Sequence, residues 1–160
     1  MLNTSLCHIE HDGKYLMLHR IKKKNDLNQD KWIGIGGKFK DRESPEECNV
    51  REVFEETGLT LTRCRYRGIV TFVSDRWETE YMHIFTADEF TGEIKECNEG
   101  KLEWIDKAKI YDLPIWEGDR IFLKLIENPE TPFFSLKLEY DVNDVLKTAK
   151  LNNIEIGGNI

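Results

Sequence analysis

Glu52, Glu55 and Glu56 lie three and four residues apart within the stretch Arg51-Glu52-Val53-Phe54-Glu55-Glu56-Thr57-Gly58-Leu59. On a helix those spacings place the carboxylates on one face, where like charges repel by about 0.2–0.5 kcal/mol per pair. They also fall near the C-terminal pole of the helix, which favours cations over anions. Local physics opposes the arrangement twice. A solvated face that tolerates the charge is one explanation. The other begins with Gly36 and Gly37 just upstream, a glycine turn that brings backbone oxygens near the acidic face. Carboxylates together with a carbonyl are hard oxygen ligands suited to Mg²⁺ or Mn²⁺.

These groups need a helix to hold them, and its boundaries are written in the chain. Ser44 can cap, Pro45 suits the first helical position, and Glu47 completes a capping box. Thr57-Gly58 supplies the stop, because glycine adopts the left-handed conformation that ends a helix. The helix is expected from about Pro45 to Thr57, with Val50, Val53, Phe54 and Thr57 as its buried stripe. Around it, "TSLCHIE" and "KYLMLHR" read as strands joined by an Asp12-Gly13 hairpin turn. "KWIGIGG" reads as a short strand ending in glycines. "LTLTRCRYRGIVTFVS" and "ETEYMHIFTADEF" read as long strands, and "KLEWID" and "PFFSLKLEYD" alternate as further ones. "WEGDRIFLKLIEN" carries Ile121, Phe122, Leu125 and Ile126 at helical spacing, and Asn128-Pro129 stops it. Strands interleaved with two helices predict an α/β or α+β class, a mixed sheet between helices. The last twenty residues are polar and weakly patterned, and no element is assigned to them.

The chain has 160 residues, with no repeat or linker to divide it. One domain over 1–160 is expected, its core at about 4–140. The formal charge of -7 argues against a binder of long nucleic acid, but a divalent metal can reverse the local sign of an acidic site for a small phosphorylated ligand. No apolar run approaches the ~20 residues a membrane span needs, and the start lacks the order of a secretory signal. Cys7, Cys48, Cys64 and Cys97 show no C-x-x-C pair. They read as reduced thiols of a cytoplasmic protein. The sequence carries no reading of oligomeric state.

Gly37, Glu43 and the run Arg51 to Leu59 together resemble the Nudix box at each of its fixed positions. That resemblance implies the Nudix fold and hydrolysis of a nucleoside diphosphate linked to another moiety, with Mg²⁺ as cofactor and Mn²⁺ as a possible substitute. It implies Glu52, Glu55 and Glu56 as metal ligands, with Gly36 contributing its carbonyl. Arg51 would orient the carboxylates, or bridge to Glu55 one turn on, or both. Glu43 would support the loop. Lys38 follows the glycines as a phosphate contact or a solvated lysine. A general base would come from the box or from the loop "KECNEGKLEW", where Glu99 resembles the base-like or metal-binding glutamate of the MutT-like branch; Glu96 is its neighbour. Arg20 ends its strand where MutT-like proteins place a cation toward the phosphates, and one of Arg20, Lys22, Lys23 and Lys24 is expected to reach one.

The segments "WIGIGGK", "LPIWEGDRIFLKLI" and "PFFSLKLEYD" look like the branch of 8-oxo-dGTP diphosphatases. By that analogy Trp116 stacks on the purine and Asp119 hydrogen-bonds its edge; their plainer roles are a core anchor and a first-turn acid. Two positions depart from the branch. Ile33 stands where some relatives carry a base-reading asparagine, and Gly118 takes the place of the first of two adjacent acids. The competing readings are a pyrophosphatase for ADP-ribose or another nucleotide sugar, a non-catalytic nucleotide sensor, and an enzyme decapping RNA 5′ ends.

Overall fold

The computed structural model describes residues 1–22 and 25–157; Lys23 and Lys24 lie outside the described residues. Chain order runs β1 Leu2–His11, β2 Lys14–His19, β3 Trp32–Ile33, β4 Ile35–Lys38, α1 Pro45–Thr57, β5 Thr60–Ser74 and β6 Glu80–Thr91. It continues with β7 Lys101–Asp106, a 3₁₀ turn Lys107–Asp112, α2 Asp119–Glu127, β8 Phe134–Tyr140, β9 Leu146–Leu151 and β10 Ile154–Glu155. The strands form a mixed sheet in the order β10-β9-β8-β5-β6-β1-β2-β3, with β4 paired to β1 and β7 to β2. This is the sheet-and-helix class expected from the sequence.

Strand β1 organises the sheet. It runs parallel to β6 along one edge. Its other edge is shared: residues Thr4 to Cys7 pair with β4, and Ile9 to His11 pair with β2. The β1–β2 turn has Asp12 at φ 51° and Gly13 at φ 74°, the two left-handed residues a tight hairpin requires. Alternation along the strands feeds two apolar layers. One holds Leu6, Met17, Val70, Phe72 and Leu136 with Phe122 of α2. The other holds Cys7, Ile9, Leu16, Leu18 and Phe85 with Val53 of α1.

The structure corrects three expectations. The buried face of α1 is Cys48, Asn49, Val53 and Thr57, whereas Val50 is 36% and Phe54 52% exposed. The helix is turned so that Glu52 and Glu56 face the glycines of β4, which rotates Phe54 outward beneath the Lys95 ammonium, 5.5 Å from its ring centroid. The segment "KWIGIGG" is two strands, because β3 pairs with β2 while β4 pairs with β1. The C-terminal region, unassigned from sequence, forms the β9–β10 hairpin on the β8 edge. Of β9, only Ala149 is buried. A strand that covers a sheet edge with one inward residue leaves little hydrophobic period to read.

Candidate active site

Helix α1 begins as its sequence dictates. Ser44 Oγ accepts from the Glu47 N–H at 3.0 Å, and the Glu47 carboxylate accepts from the Ser44 N–H at 3.0 Å. Gly58 at φ 83° ends the helix, its N–H bonding the Phe54 carbonyl. Between these ends Arg51 is the hub of the acidic face. Its guanidinium donates to Glu43 at 2.5 and 2.8 Å, to Glu52 at 2.7 Å, to Glu55 at 3.0 Å and to the Lys38 carbonyl at 3.0 Å. One cation thus ties three carboxylates and the strand-to-helix loop together, so both readings of Arg51 describe the same side chain. The paired guanidinium and the Lys40 N–H pull the Glu43 carboxyl down to about 2. Glu43 therefore stays ionised as the strut between loop and helix.

The Arg51 clamp adjoins a cavity of about 560 Å³. Gly36, Gly37, Lys38, Glu52 and Glu56 line it from β4 and α1, with Arg20 and Glu99 from the ends of β2 and of the loop before β7. Trp116, Asp119, Phe72, Leu138 and Tyr140 line it from α2 and the core layer beneath, and Asn28 and Ile33 complete that part. Ten of the residues singled out in the sequence are therefore placed as follows: Gly36, Glu52, Glu56, Glu99, Arg20, Lys38, Trp116 and Asp119 share one cavity wall, and Arg51 braces it from outside. Glu55 is not in that wall; it is half exposed and bonded to Arg51, with Lys40 Nζ at 3.9 Å.

Of the carboxylates Glu52, Glu56 and Glu99 on the acidic wall, two are paired with an arginine. Arg20 donates to Asp26 at 2.7 Å and to Glu99 at 3.0 Å, which fixes it beside the acidic wall. Lys22 turns away, donating to Glu96 and to the Cys97 carbonyl. Glu56 is the exception. Its Oε2 is buried with no hydrogen-bond partner, and burial, then the Glu99 carboxyl, then the Glu52 charge push its pKa up to about 9. Such an orphaned oxygen beside two further carboxylates and a backbone carbonyl fits a hard divalent cation, whose charge would reverse the sign of the local field. Among the described residues the carboxylates are not drawn into a set of three ligands; Arg51 holds Glu52 and Arg20 holds Glu99.

The glycines are required for close approach. A Cβ on Gly37 would lie 2.4 Å from a Glu52 carboxylate oxygen, and one on Gly36 only 1.7 Å from the Ser5 carbonyl. The first obstacle is a movable side-chain end, the second is backbone of the paired strand. Gly37→Ala is therefore expected to keep the fold while displacing Glu52, lowering turnover about 100-fold. Gly36→Ala is expected to disrupt β1–β4 pairing and reduce the yield of folded protein. Steady-state turnover and thermal unfolding of the two variants check this contrast.

Elsewhere in the cavity, Trp116 is 6% exposed and packed edge-on by Phe72 and Tyr140 at 5.4 and 5.0 Å. The Lys31 ammonium lies 4.9 Å from its ring centroid. Trp116 is thus both anchored in the core and part of the cavity lining. Asp119 is buried at the start of α2. Burial pushes its carboxyl up to about 8, offset in part by the Lys31 charge and reinforced by Glu80. Glu80 itself accepts from the Thr4 hydroxyl at 2.8 Å, and burial raises its pKa. Sequence reasoning missed Glu80, Asp26 and Asn28. Glu80 sits in a strand whose partner across the sheet is not legible locally, and the other two sit in a loop that reads only as polar.

The family model of the NUDIX domain matches residues 2–126. The chain belongs to the Nudix hydrolase family. This Nudix hydrolase is 33% identical over 135 residues to the oxidized purine nucleoside triphosphate hydrolase of Danio rerio, covering 83% of this chain and 85% of that one. It is 34% identical over 118 residues to a Nudix hydrolase of Bacillus subtilis, 71% of each chain. Its fold superposes on the crystal structure of a MutT protein from Bacillus halodurans with TM-score 0.82 at 27% identity, covering 95% and 98% of the two chains. No described helix is long and apolar enough to cross a membrane.

Proposed function

We propose that this Nudix hydrolase is a Mg²⁺-dependent nucleoside triphosphate diphosphatase acting on oxidised or related purine nucleotides, releasing the monophosphate and pyrophosphate. The observation that carries this reading is one cavity holding both a buried, unpartnered Glu56 oxygen beside other carboxylates and a buried Trp116–Asp119 pair. The first suits a phosphate-bound cation, the second a flat heterocycle with hydrogen-bonding edges. The oxidized-purine hydrolase of Danio rerio supports the same substrate class.

Glu52, Glu56, Glu99 and the Gly36 carbonyl would hold the metal, with Glu55 at the outer edge. The cation, when bound, neutralises phosphate charge and acidifies a water. The chain's own residues do the rest. Arg20 and Lys38 bind phosphate oxygens, and Arg51 keeps Glu52 and Glu55 oriented. Water attacks a phosphorus, the bond to the departing pyrophosphate oxygen breaks, and the proton of the water passes to Glu99, which Arg20 holds in place.

Base selection follows from hydrogen-bond roles. The Trp116 Nε1–H can only donate, and it donates to Asn28 Oδ1 at 2.8 Å. The Asn28 Nδ2 group is therefore left as a donor. It stands in for the amide absent at Ile33 and favours a purine bearing an exocyclic carbonyl over one bearing an amine. Asn28→Asp keeps the bond to Trp116 and removes the donor. It is expected to lower kcat/KM about 10-fold or more for a guanine-type triphosphate and not to lower it for the 2,6-diaminopurine analogue, whose amine can donate to the new carboxylate oxygen. An equal loss on both substrates would refute this assignment.

The decisive experiment is product identification on a substrate panel with Mg²⁺, including dGTP, 8-oxo-dGTP, dATP, ADP-ribose and a short triphosphorylated RNA. Pyrophosphate release from purine triphosphates is expected. Release from none of them, with cleavage of ADP-ribose instead, would replace the proposal by a nucleotide-sugar pyrophosphatase.

A further inference from the structure

A second cavity, of about 490 Å³, shares no lining residue with the first. It is walled by Arg63, Arg65 and Arg67 of β5, by Lys107, and by Ile126, Glu127 and Pro129 at and just past the C-terminal end of α2. Two of these cations are already compensated: Arg63 pairs with Asp88 at 2.6 Å and Glu89 at 3.0 Å, and Lys107 pairs with Glu10. The other two are not. Among the described residues no carboxylate lies within ion-pair distance of Arg65 or Arg67. Arg65 donates to the Pro129 carbonyl at 2.8 Å. Arg67 is only 4% exposed and donates to the carbonyls of Ile126 at 3.0 Å and Asn128 at 2.8 Å and to the Thr86 hydroxyl at 3.4 Å. Its Nε–H is buried with no partner at all.

A buried guanidinium without a counter-ion is costly, and a buried donor without an acceptor adds to that cost. The carbonyl ends of α2 offer partial negative charge, which satisfies Arg67 in part and leaves its Nε–H unmatched, with the exposed Arg65 guanidinium beside it. We propose that this cavity is a binding site for a small phosphate-bearing anion, held by Arg65 and Arg67. A phosphate-type anion supplies the counter-charge that buried Arg67 lacks, with Arg65 at the exposed rim as a second cation, and its oxygens suit the forked donors of guanidinium groups. The acids that also line the cavity, Glu10, Asp88 and Glu127, together with the net charge of -7, select against a long polyanion and for a compact one. The site lies at the far end of α2 from Asp119, so it is separate from the catalytic cavity and does not depend on the substrate assigned there.

Calorimetric titration of the full chain in EDTA with inorganic phosphate, inorganic pyrophosphate and a nucleoside monophosphate tests the proposal. Binding of at least one of these is expected, weakened about 10-fold or more by Arg65→Gln, the equivalent of one charge-assisted contact. Lys38→Gln, in the catalytic cavity, should leave that binding unchanged. The arm that binds most tightly distinguishes a free inorganic anion from a phosphoryl group on a nucleoside. Arg67→Lys retains the charge and loses the fork, and should weaken binding while thermal unfolding reports whether the α2 contacts survive. Binding that is absent in every arm, indifferent to Arg65→Gln, or abolished by Lys38→Gln overturns the proposal. Arg65 is distant from the catalytic residues, so Arg65→Gln should leave nucleotide turnover as it was.

Discussion

Replacing Glu56 by glutamine is expected to lower kcat for nucleotide hydrolysis about 1,000-fold while leaving the fold intact. The reasoning begins with Oε2, which is buried and has no protein partner. Burial, Glu99 and Glu52 hold the carboxyl near 9, so without a cation it carries its proton at neutral pH. Glutamine matches that neutral form in shape and polarity, and little stability should be lost. What it cannot do is become an anion. Cation binding to the wild type must expel the Glu56 proton, since a divalent charge favours the carboxylate. Metal titration in weak buffer at pH 7 should therefore release protons from the wild type, with affinity rising up to 10-fold per pH unit toward about pH 9. The variant should show weaker binding and no such release. Comparable turnover in the two proteins would remove Glu56 from the catalytic set. Glu55→Gln is expected to have the smaller effect, because Glu55 stands outside the cavity wall, half exposed beside Arg51.

The second large effect concerns Asp119. Its carboxyl is buried at the start of α2 and pushed up to about 8, so at neutral pH it is a neutral group with one donor and one acceptor. Asp119→Ala removes both from the base-binding part of the cavity and should lower kcat/KM for purine triphosphates about 100-fold. Asp119→Asn keeps one donor and one acceptor and should retain most activity at pH 7. The wild type should lose kcat/KM above pH 8 as the acid ionises, and the asparagine variant should lack that limb. Stability moves with the same proton. Between the unfolded value of 3.8 and about 8 the folded state keeps a proton that the unfolded state has released. The slope of unfolding free energy with pH is then negative, at most about 1.4 kcal/mol per pH unit in that window. Wild-type stability from this group accordingly falls as pH rises through the window and is level below it. Asp119→Asn should be the more stable protein at pH 7.5, and urea unfolding across pH 5 to 8 measures the difference. Lys31, Glu80 and Tyr140 share the field around Asp119; the asparagine variant isolates the contribution of Asp119 from theirs.

Both effects depend on the difference between a charge that local structure explains and one that it does not. Glu46 and Glu47 sit in the first turn of α1, where the dipole welcomes them. Glu47 closes the capping box. Glu52, Glu55 and Glu56 sit where dipole and mutual repulsion oppose them. That contrast could be read without coordinates because caps, dipoles and i,i+4 spacings act within a few residues of one another. The limits of α1, the Asp12-Gly13 turn and the alternation of β8 were legible for the same reason. The direction in which α1 faces was not. Val50 and Phe54 complete a more apolar stripe than Cys48 and Asn49 do, and only packing against β4 and the neighbouring strands overrides that pattern.

Sequence alone determined the helix that carries the acidic face, the glycines that must precede it, and the hydrolase family those residues belong to. All are consequences of short-range geometry that a contiguous run of residues can encode. Tertiary structure alone decided which carboxylate is orphaned, which is tied to an arginine, and that Asn28 bonds Trp116 across 88 positions of chain. It also decided that two arginines of β5 meet the end of α2 without a counter-ion. Burial and pairing between distant residues set those outcomes, and neither is written in the neighbours of any one side chain.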